Sequence, residues 1–168
     1  MNIPYKKVSE AFLRQFESVI LPIWNKQPNP MGLHKMLTLA SIVEKEAYKT
    51  LEMDLISGVY HNRLNRKMKL DSCPTVAYGM GKPRKKFLTY RDLKYKSIYN
   101  TYIHKGLPPT PIAAPGKLAF NATLNPKSSP YLYFVSNGDG THQFSRTLRA
   151  HLRKQQEIIK KQNQLKLN

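Results

Sequence analysis

Two carboxylates stand in the stretch Leu33–Tyr48, which reads LHKMLTLASIVEKEAY and is otherwise largely apolar. They are Glu44 and Glu46. The chain of 168 residues holds only 10 acidic residues against 28 basic ones, so two acids here are the first place to look for chemistry. Helical spacing puts Leu33, Met36, Leu37, Ala40, Val43 and Ala47 on one face. At about 100° per residue the two acids lie about 200° apart, so one helix cannot aim both at the same bond. Glu44 falls inside the apolar stripe, near Leu37 and Ala40. Glu46 falls at the rim, beside Leu39. A rim position suits a general acid: partial burial raises the carboxyl pKa so that it holds a proton near neutrality, and the open side admits substrate. The helix alone is equally compatible with two solvated or ion-paired acids at its end.

The other reactive side chains narrow the chemistry. No pair among His34, His61, His104, His142 and His151 has the spacing of a helical zinc site. His142 falls in a hairpin strand and reads as a structural hydrogen-bonder. Cys73 is alone, which excludes an internal disulfide and a cysteine-based zinc cluster. There is no Gly-rich phosphate loop and no G-x-S-x-G elbow, so neither nucleotide chemistry nor serine hydrolysis is supported. No metal or organic cofactor is expected. Tyr78, Tyr99, Asn100, Thr101 and Tyr102 combine flat rings with hydrogen-bonding groups, as sugars require, although the same residue types are ordinary turn chemistry.

The elements that must position these groups follow from periodicity. A first helix runs from Ser9 to Trp24, with Phe12, Phe16, Val19, Ile20 and Ile23 at helical spacing and Pro22 bending or ending it. Lys26–Gly32 is a loop. After the Leu33–Tyr48 helix, Thr50 can cap a third helix, from Leu51 to about Asn65, with Met53, Ile56, Tyr60 and Leu64 as its buried stripe. Leu70–Gly81 reads as a loop, a short apolar stretch and another loop, because of its Pro and Gly content. Lys82–Lys86 is a basic loop. Thr89–Asp92 has capping-box spacing for a short helix near Leu93.

Tyr99–Gly116 is proline-rich and must be an extended, stiff loop. Lys117–Leu124 is a short helix closed by Asn125-Pro126. Tyr131–Val135 is a strand, Asn137–Gly140 a turn, and Thr141–Phe144 the returning strand of a hairpin. Arg146 to about Leu167 is a basic helix with Leu148, Leu152 and Ile159 on one side. Helices followed by a small antiparallel β-sheet predict an α+β domain, with long Pro/Gly-rich loops lining a cleft.

The formal net charge of +18 predicts an anionic partner: nucleic acid, an acidic membrane surface, or an acidic polymer such as cell-wall glycan. No nucleic-acid module is recognisable, so no specific nucleic-acid partner is expected. No apolar run approaches the roughly 20 residues that a membrane span needs, and no signal-peptide pattern opens the chain.

Seven segments, taken in order, resemble one family, the endolytic murein transglycosylases or YceG-like proteins. They are Leu39–Glu46 (LASIVEKE), Val59–Leu64 with its Asn-Arg-Leu core, Pro74–Gly81 (PTVAYGMG), Tyr99–Tyr102 (YNTY), Gly106–Gly116 (GLPPTPIAAPG), Tyr131–Val135 (YLYFV) and Thr141–Phe144 (THQF). The resemblance implies a catalytic domain over 33–157, an N-terminal helix and linker over 1–32 packing on it, and a basic helix end over 158–168. It implies a lyase that cuts the bond from N-acetylmuramic acid to N-acetylglucosamine within peptidoglycan strands and leaves 1,6-anhydromuramic ends.

The resemblance assigns the acid to Glu46. Such an enzyme needs only one carboxyl, which serves as acid and then base, and this chain offers no obvious second partner. Thr75, Tyr78, Asn100, Thr101 and Tyr102 are the expected glycan-binding residues, and Glu44 is expected to be structural, tied to a nearby loop. Penicillin-binding peptidoglycan synthases are the expected protein partners, at the outer face of a bacterial inner membrane. The resemblance also implies a membrane helix and a LysM-like domain ahead of the catalytic part, near which this sequence is expected to start. Ala47, Cys73 and Ala114 depart from the family pattern, and the Ala47 and Cys73 departures leave an inactive glycan-binding relative as the alternative. A basic nucleic-acid-binding protein is the weaker alternative.

Overall fold

The structure is a computed structural model and describes residues 5–47, 49–83, 85 and 88–165. Among these, seven α-helices and a two-stranded antiparallel sheet make an α+β fold. The expected helix end at Tyr48, two residues of the basic loop (84 and 86) and the last turn of the C-terminal helix beyond 165 lie outside the described residues.

The first helix is one rod in three pieces: α1 (Tyr5–Gln15), a π-helical turn (Phe16–Ile20) and α2 (Leu21–Lys26). The wide turn has a local cause. Pro22 lacks an N–H and crowds the preceding turn, and the Leu21 N–H reaches back to the Phe16 carbonyl. So Pro22 neither ends the helix nor leaves its hydrogen-bonding regular.

Helix α3 (Leu33–Glu46) is the centre of the molecule, and it corrects the expectation of one apolar stripe. It has two buried faces. Met36 and Ala40 join Ile20, Phe120 and Leu124 in one cluster, flanked by Phe16, Ile23 and Trp24. Leu39, Ile42 and Val43 join Met53, Ile56, Tyr60, Leu70 and Ala119 in the other. Each such side chain taken fully out of water contributes about 1.5–3 kcal/mol, which is why the helix holds a fixed rotation between the two clusters. Helix α6 (Lys117–Leu124) is split the same way, with Ala119 on one cluster and Phe120 on the other.

A 3-10 turn (Thr50–Glu52) leads into α4 (Met53–Asn65). Thr50 makes no side-chain cap, contrary to expectation. The expected stripe of α4 is present, and Val59 and Arg63 are buried with it. One side of α4 clamps the chain after α6. The Lys127 N–H donates to the Asp54 carbonyl, and Asn62 Nδ2 donates to the carbonyls of Ser129 (2.7 Å) and Tyr131 (2.9 Å). Between these contacts Gly58 meets the Lys127 carbonyl so closely that a Cβ would collide with it. Gly58→Ala therefore gains the helix propensity of alanine, up to about 1 kcal/mol, but overpacks against backbone that cannot step aside. We expect net destabilisation of about 1–2 kcal/mol and a melting temperature lower by roughly 4 °C in a thermal unfolding scan.

Cys73–Gly79 forms helix α5, where loop and short apolar stretch were expected. Pro74 is the reason for the misreading: it lies in the first helical turn, where a missing N–H is harmless and a fixed φ helps. The Thr89–Asp92 capping box forms in both directions, Thr89 N–H to Asp92 Oδ2 at 2.7 Å and Asp92 N–H to Thr89 Oγ1 at 3.2 Å. It opens a single turn, Asp92–Lys94.

The hairpin pairs β1 (Tyr133–Ser136) with β2 (His142–Ser145), Phe134 opposite Phe144 and Ser136 opposite His142. Helix α7 (Leu148–Leu165) rests on it through His151, stacked on Tyr133, and Lys154, which donates to the Phe144 carbonyl at 2.7 Å. Ile158 is buried, whereas Leu148, Leu152 and Ile159 are about half exposed, so the leucine side of this helix is its outer side. The proline-rich 106–116 segment crosses α3: His34 Nε2 meets the Pro109 carbonyl, and the Ile112 N–H donates to Ser41 Oγ.

Candidate active site

Glu46 is the last residue of α3, because the chain turns extended at Ala47. It continues the Leu39, Ile42, Val43 face, so its carboxyl comes out of a fully buried face rather than at the rim of one stripe. Two hydroxyls donate to the same oxygen, Oε1: Ser72 Oγ at 2.7 Å and Tyr60 Oη at 2.9 Å. Among the described residues no hydrogen bond reaches Oε2.

Burial pushes the Glu46 carboxyl above its ordinary range; the Ser72 and Tyr60 hydrogen bonds, then the nearby His142 and Arg63, oppose the rise without cancelling it. The C-terminal end of a helix, where partial negative charge collects, is also a poor place for a carboxylate. Burial, with the Glu46 charge beside it, pushes Tyr60 well up, so its hydroxyl stays a donor. Ser72→Ala removes the largest opposing contribution. Its Glu46 should titrate at higher pH than in the wild type, read from the carboxyl 13C shift during a pH titration.

Ser72 is held by a buried hydroxyl network. Its N–H donates to Thr101 Oγ1 at 3.0 Å, Thr75 Oγ1 donates to its carbonyl at 2.7 Å, and the Thr75 and Thr101 hydroxyls meet at 2.9 Å. Asn100 is fully buried as well: its Nδ2 donates to the carbonyls of Leu93 and Tyr95, and its Oδ1 accepts the Tyr102 N–H. Thr75, Asn100 and Thr101 were expected to bind ligand. Their side chains instead face inward, where Thr75 and Thr101 fix Ser72 and Asn100 fixes the 93–102 chain. Tyr78 is partly buried edge-on to Tyr99, with ring centroids 4.8 Å apart. Tyr102 is partly buried, its hydroxyl 3.2 Å from Cys73 Sγ. Burial pushes both Tyr102 and Cys73 up, so the thiol stays protonated. Glu44 accepts the Gly116 N–H at 3.1 Å, which gives it the loop contact expected of it.

The cleft that Glu46 borders has a volume of about 840 Å³. It is lined by Glu46, Cys73 and Pro74, by Lys85 and Leu93, and by Gly138 and His142 of the hairpin. The 106–116 segment borders a separate apolar groove beside Phe12 and Phe16. His142 was expected to be structural, and it is tightly held: Glu52 accepts its backbone N–H at 3.2 Å and binds ring Nδ1 at 2.8 Å. Tyr60, Ser72 and Glu52 lie 14, 26 and 6 residues from Glu46 in sequence, and only folding brings them beside it or beside His142. Among the described residues no cluster of His, Cys, Asp and Glu could hold a metal ion.

Comparison with known proteins adds three findings. A family model described as the YceG-like family matches residues 2–157. The endolytic murein transglycosylase of Bacillus subtilis (strain 168) is 36% identical over 158 residues, 94% of this chain and 44% of that protein. The protein of the same name from Streptococcus pneumoniae serotype 2 (strain D39 / NCTC 7466) is 38% identical over 111 residues, 64% of this chain and 20% of that one. The chain thus spans less than half the length of these relatives. A crystal structure of a YceG-like protein from Listeria monocytogenes superimposes with a TM-score of 0.70 at 42% identity, over 77% of this chain and 41% of the other.

Proposed function

The chain belongs to the YceG-like family, and from that premise we propose that it is the catalytic part of an endolytic peptidoglycan lytic transglycosylase. The observation that carries the reading is Glu46: a carboxyl that borders the cleft, is pushed above its ordinary range by burial, and takes both of its hydrogen bonds on Oε1. Glu46 protonates the glycosidic oxygen that leaves the muramic anomeric carbon. The muramic six-hydroxyl then attacks that carbon, and its proton departs to a base. The carboxylate just formed can serve, so one carboxyl suffices where a hydrolase places two across the bond.

Cys73, which borders the cleft, and Tyr102, whose hydroxyl lies against it, are the proposed first contacts for glycan. Tyr78, Asn100, Thr101 and Thr75 support them from behind. The basic surface suits a substrate whose stem peptides carry carboxylates. The proposed setting is the cell envelope, with penicillin-binding synthases as partners that supply new strands. Among the described residues no helix is long and apolar enough to cross a membrane.

The test is incubation with purified peptidoglycan followed by mass spectrometry of the released muropeptides. Anhydromuramic ends are the expected product. Binding to sacculi without any new ends would make the chain a glycan-binding relative, and hydrated reducing ends would replace the lyase by a hydrolase.

A further inference from the structure

The one-carboxyl scheme leaves a second titratable group in the same cleft without a task. His142 borders the cleft together with Glu46. Its ring is fixed on several sides. Glu52 Oε2 takes Nδ1 at 2.8 Å, while Glu52 Oε1 takes the backbone N–H of the same residue. The Phe134 ring stands edge-on to it, 5.4 Å away at 89°, and the side chain is only 7% exposed. A carboxylate on Nδ1 assigns the proton of the neutral ring to that nitrogen and leaves Nε2 as an acceptor. Among the described residues no hydrogen bond reaches Nε2. An imidazole oriented by a carboxylate, with its other nitrogen free of hydrogen bonds and lining the same cleft as Glu46, is the arrangement of a general base.

We propose that His142 takes the proton of the attacking six-hydroxyl, leaving Glu46 to act as the acid; this rests on the lytic-transglycosylase reading above. Glu46 gives its proton to the glycosidic oxygen as the bond from that oxygen to the anomeric carbon breaks. The six-oxygen forms the new bond to the anomeric carbon, and its proton passes to His142 Nε2. Glu52 stabilises the imidazolium, which returns the proton to the Glu46 carboxylate through water in the cleft. Glu52 is a positioning residue in this scheme, since it acts through the ring.

The test uses the whole chain and soluble, uncrosslinked glycan strands. His142→Gln should lower kcat by about 10²-fold or more with KM and melting temperature unchanged. Added imidazole should restore turnover to His142→Ala. Nitrogen-15 NMR of the wild type should show the Nδ1–H tautomer, and Glu52→Gln should lose that signature and lower kcat. Full turnover in the His142 variants, a loss confined to KM, or a loss that imidazole does not restore would overturn the proposal while leaving Glu46 and the parent reading intact. No anhydro ends from the wild type would remove both.

Discussion

Glu46→Gln should stop the formation of anhydromuramic ends, with turnover lower by about 10²–10⁴-fold, the range spanned by positioned acids and bases. The substitution is nearly isosteric. The glutamine carbonyl can still accept from Tyr60 and Ser72, so the geometry around Oε1 is preserved while the transferable proton is lost. Glu44→Gln is the matched control. It sits two residues away in the same helix, bonds the Gly116 N–H rather than the cleft, and should leave turnover within the wild-type range. Equal loss in both variants would remove Glu46 from its role.

The same variant reports on stability. The folded protein holds the Glu46 proton more tightly than the unfolded chain, whose carboxyl titrates near the ordinary 4.5. The contribution of this group is therefore fully present below that pH and is lost as pH rises through the higher folded value. The melting temperature of Glu46→Gln should gain on that of the wild type across this window, and a constant difference would contradict the raised pKa.

Arg63→Met should produce the largest loss of stability, about 3 kcal/mol, with the urea midpoint and the melting temperature both lowered. The Arg63 guanidinium is buried and joins three parts of the chain. Nε donates to the Leu132 carbonyl at 2.6 Å, and Nη1 donates to the carbonyls of Lys69 and Leu70 and to Asp71 Oδ2 at 2.8 Å. The same group lies over the Tyr133 ring, 5.0 Å from its centroid. Methionine keeps the apolar stem and strands three carbonyls. Asp71 is 40% exposed and regains water, which keeps the figure at the lower end for a broken buried pair.

Arg63→Lys should recover only part of the loss, because a point charge cannot replace a planar fork. Activity should fall with either variant at temperatures where the protein remains folded, since Arg63 ties the segment leading to Ser72 to the strand that faces His142. An unchanged urea midpoint for Arg63→Met would refute this account.

The α+β class, the central helix and the hairpin were legible in the sequence because periodicity and turn chemistry are local. The Asn62-Arg63 pair was legible only as a motif. Its task, clamping carbonyls some 70 residues away, belongs to the fold. Pro74 misled in the other direction, since a proline that starts a helix and one that breaks it look alike until the helix is seen. Thr75, Asn100 and Thr101 had the residue types of a sugar site, but hydroxyls and amides also serve buried networks, and burial is not written in type. The two faces of α3 were hidden for a related reason: Thr38 and Ser41 interrupt the apolar pattern, yet both are buried through hydrogen bonds, to the His34 carbonyl for Thr38 and to the Ile112 N–H for Ser41.

A helix gripped on two faces behaves like a screw with no free turn. Losing or gaining one residue between Leu39 and Glu46 would rotate everything beyond it by about 100° and advance it by about 1.5 Å. The acid would swing away from Tyr60 and Ser72, and the neighbour brought into its place would be Lys45 or Ala47. The length of this segment is therefore as much a determinant of the site as its side chains, because the distance in residues from the core fixes where the Glu46 carboxyl stands.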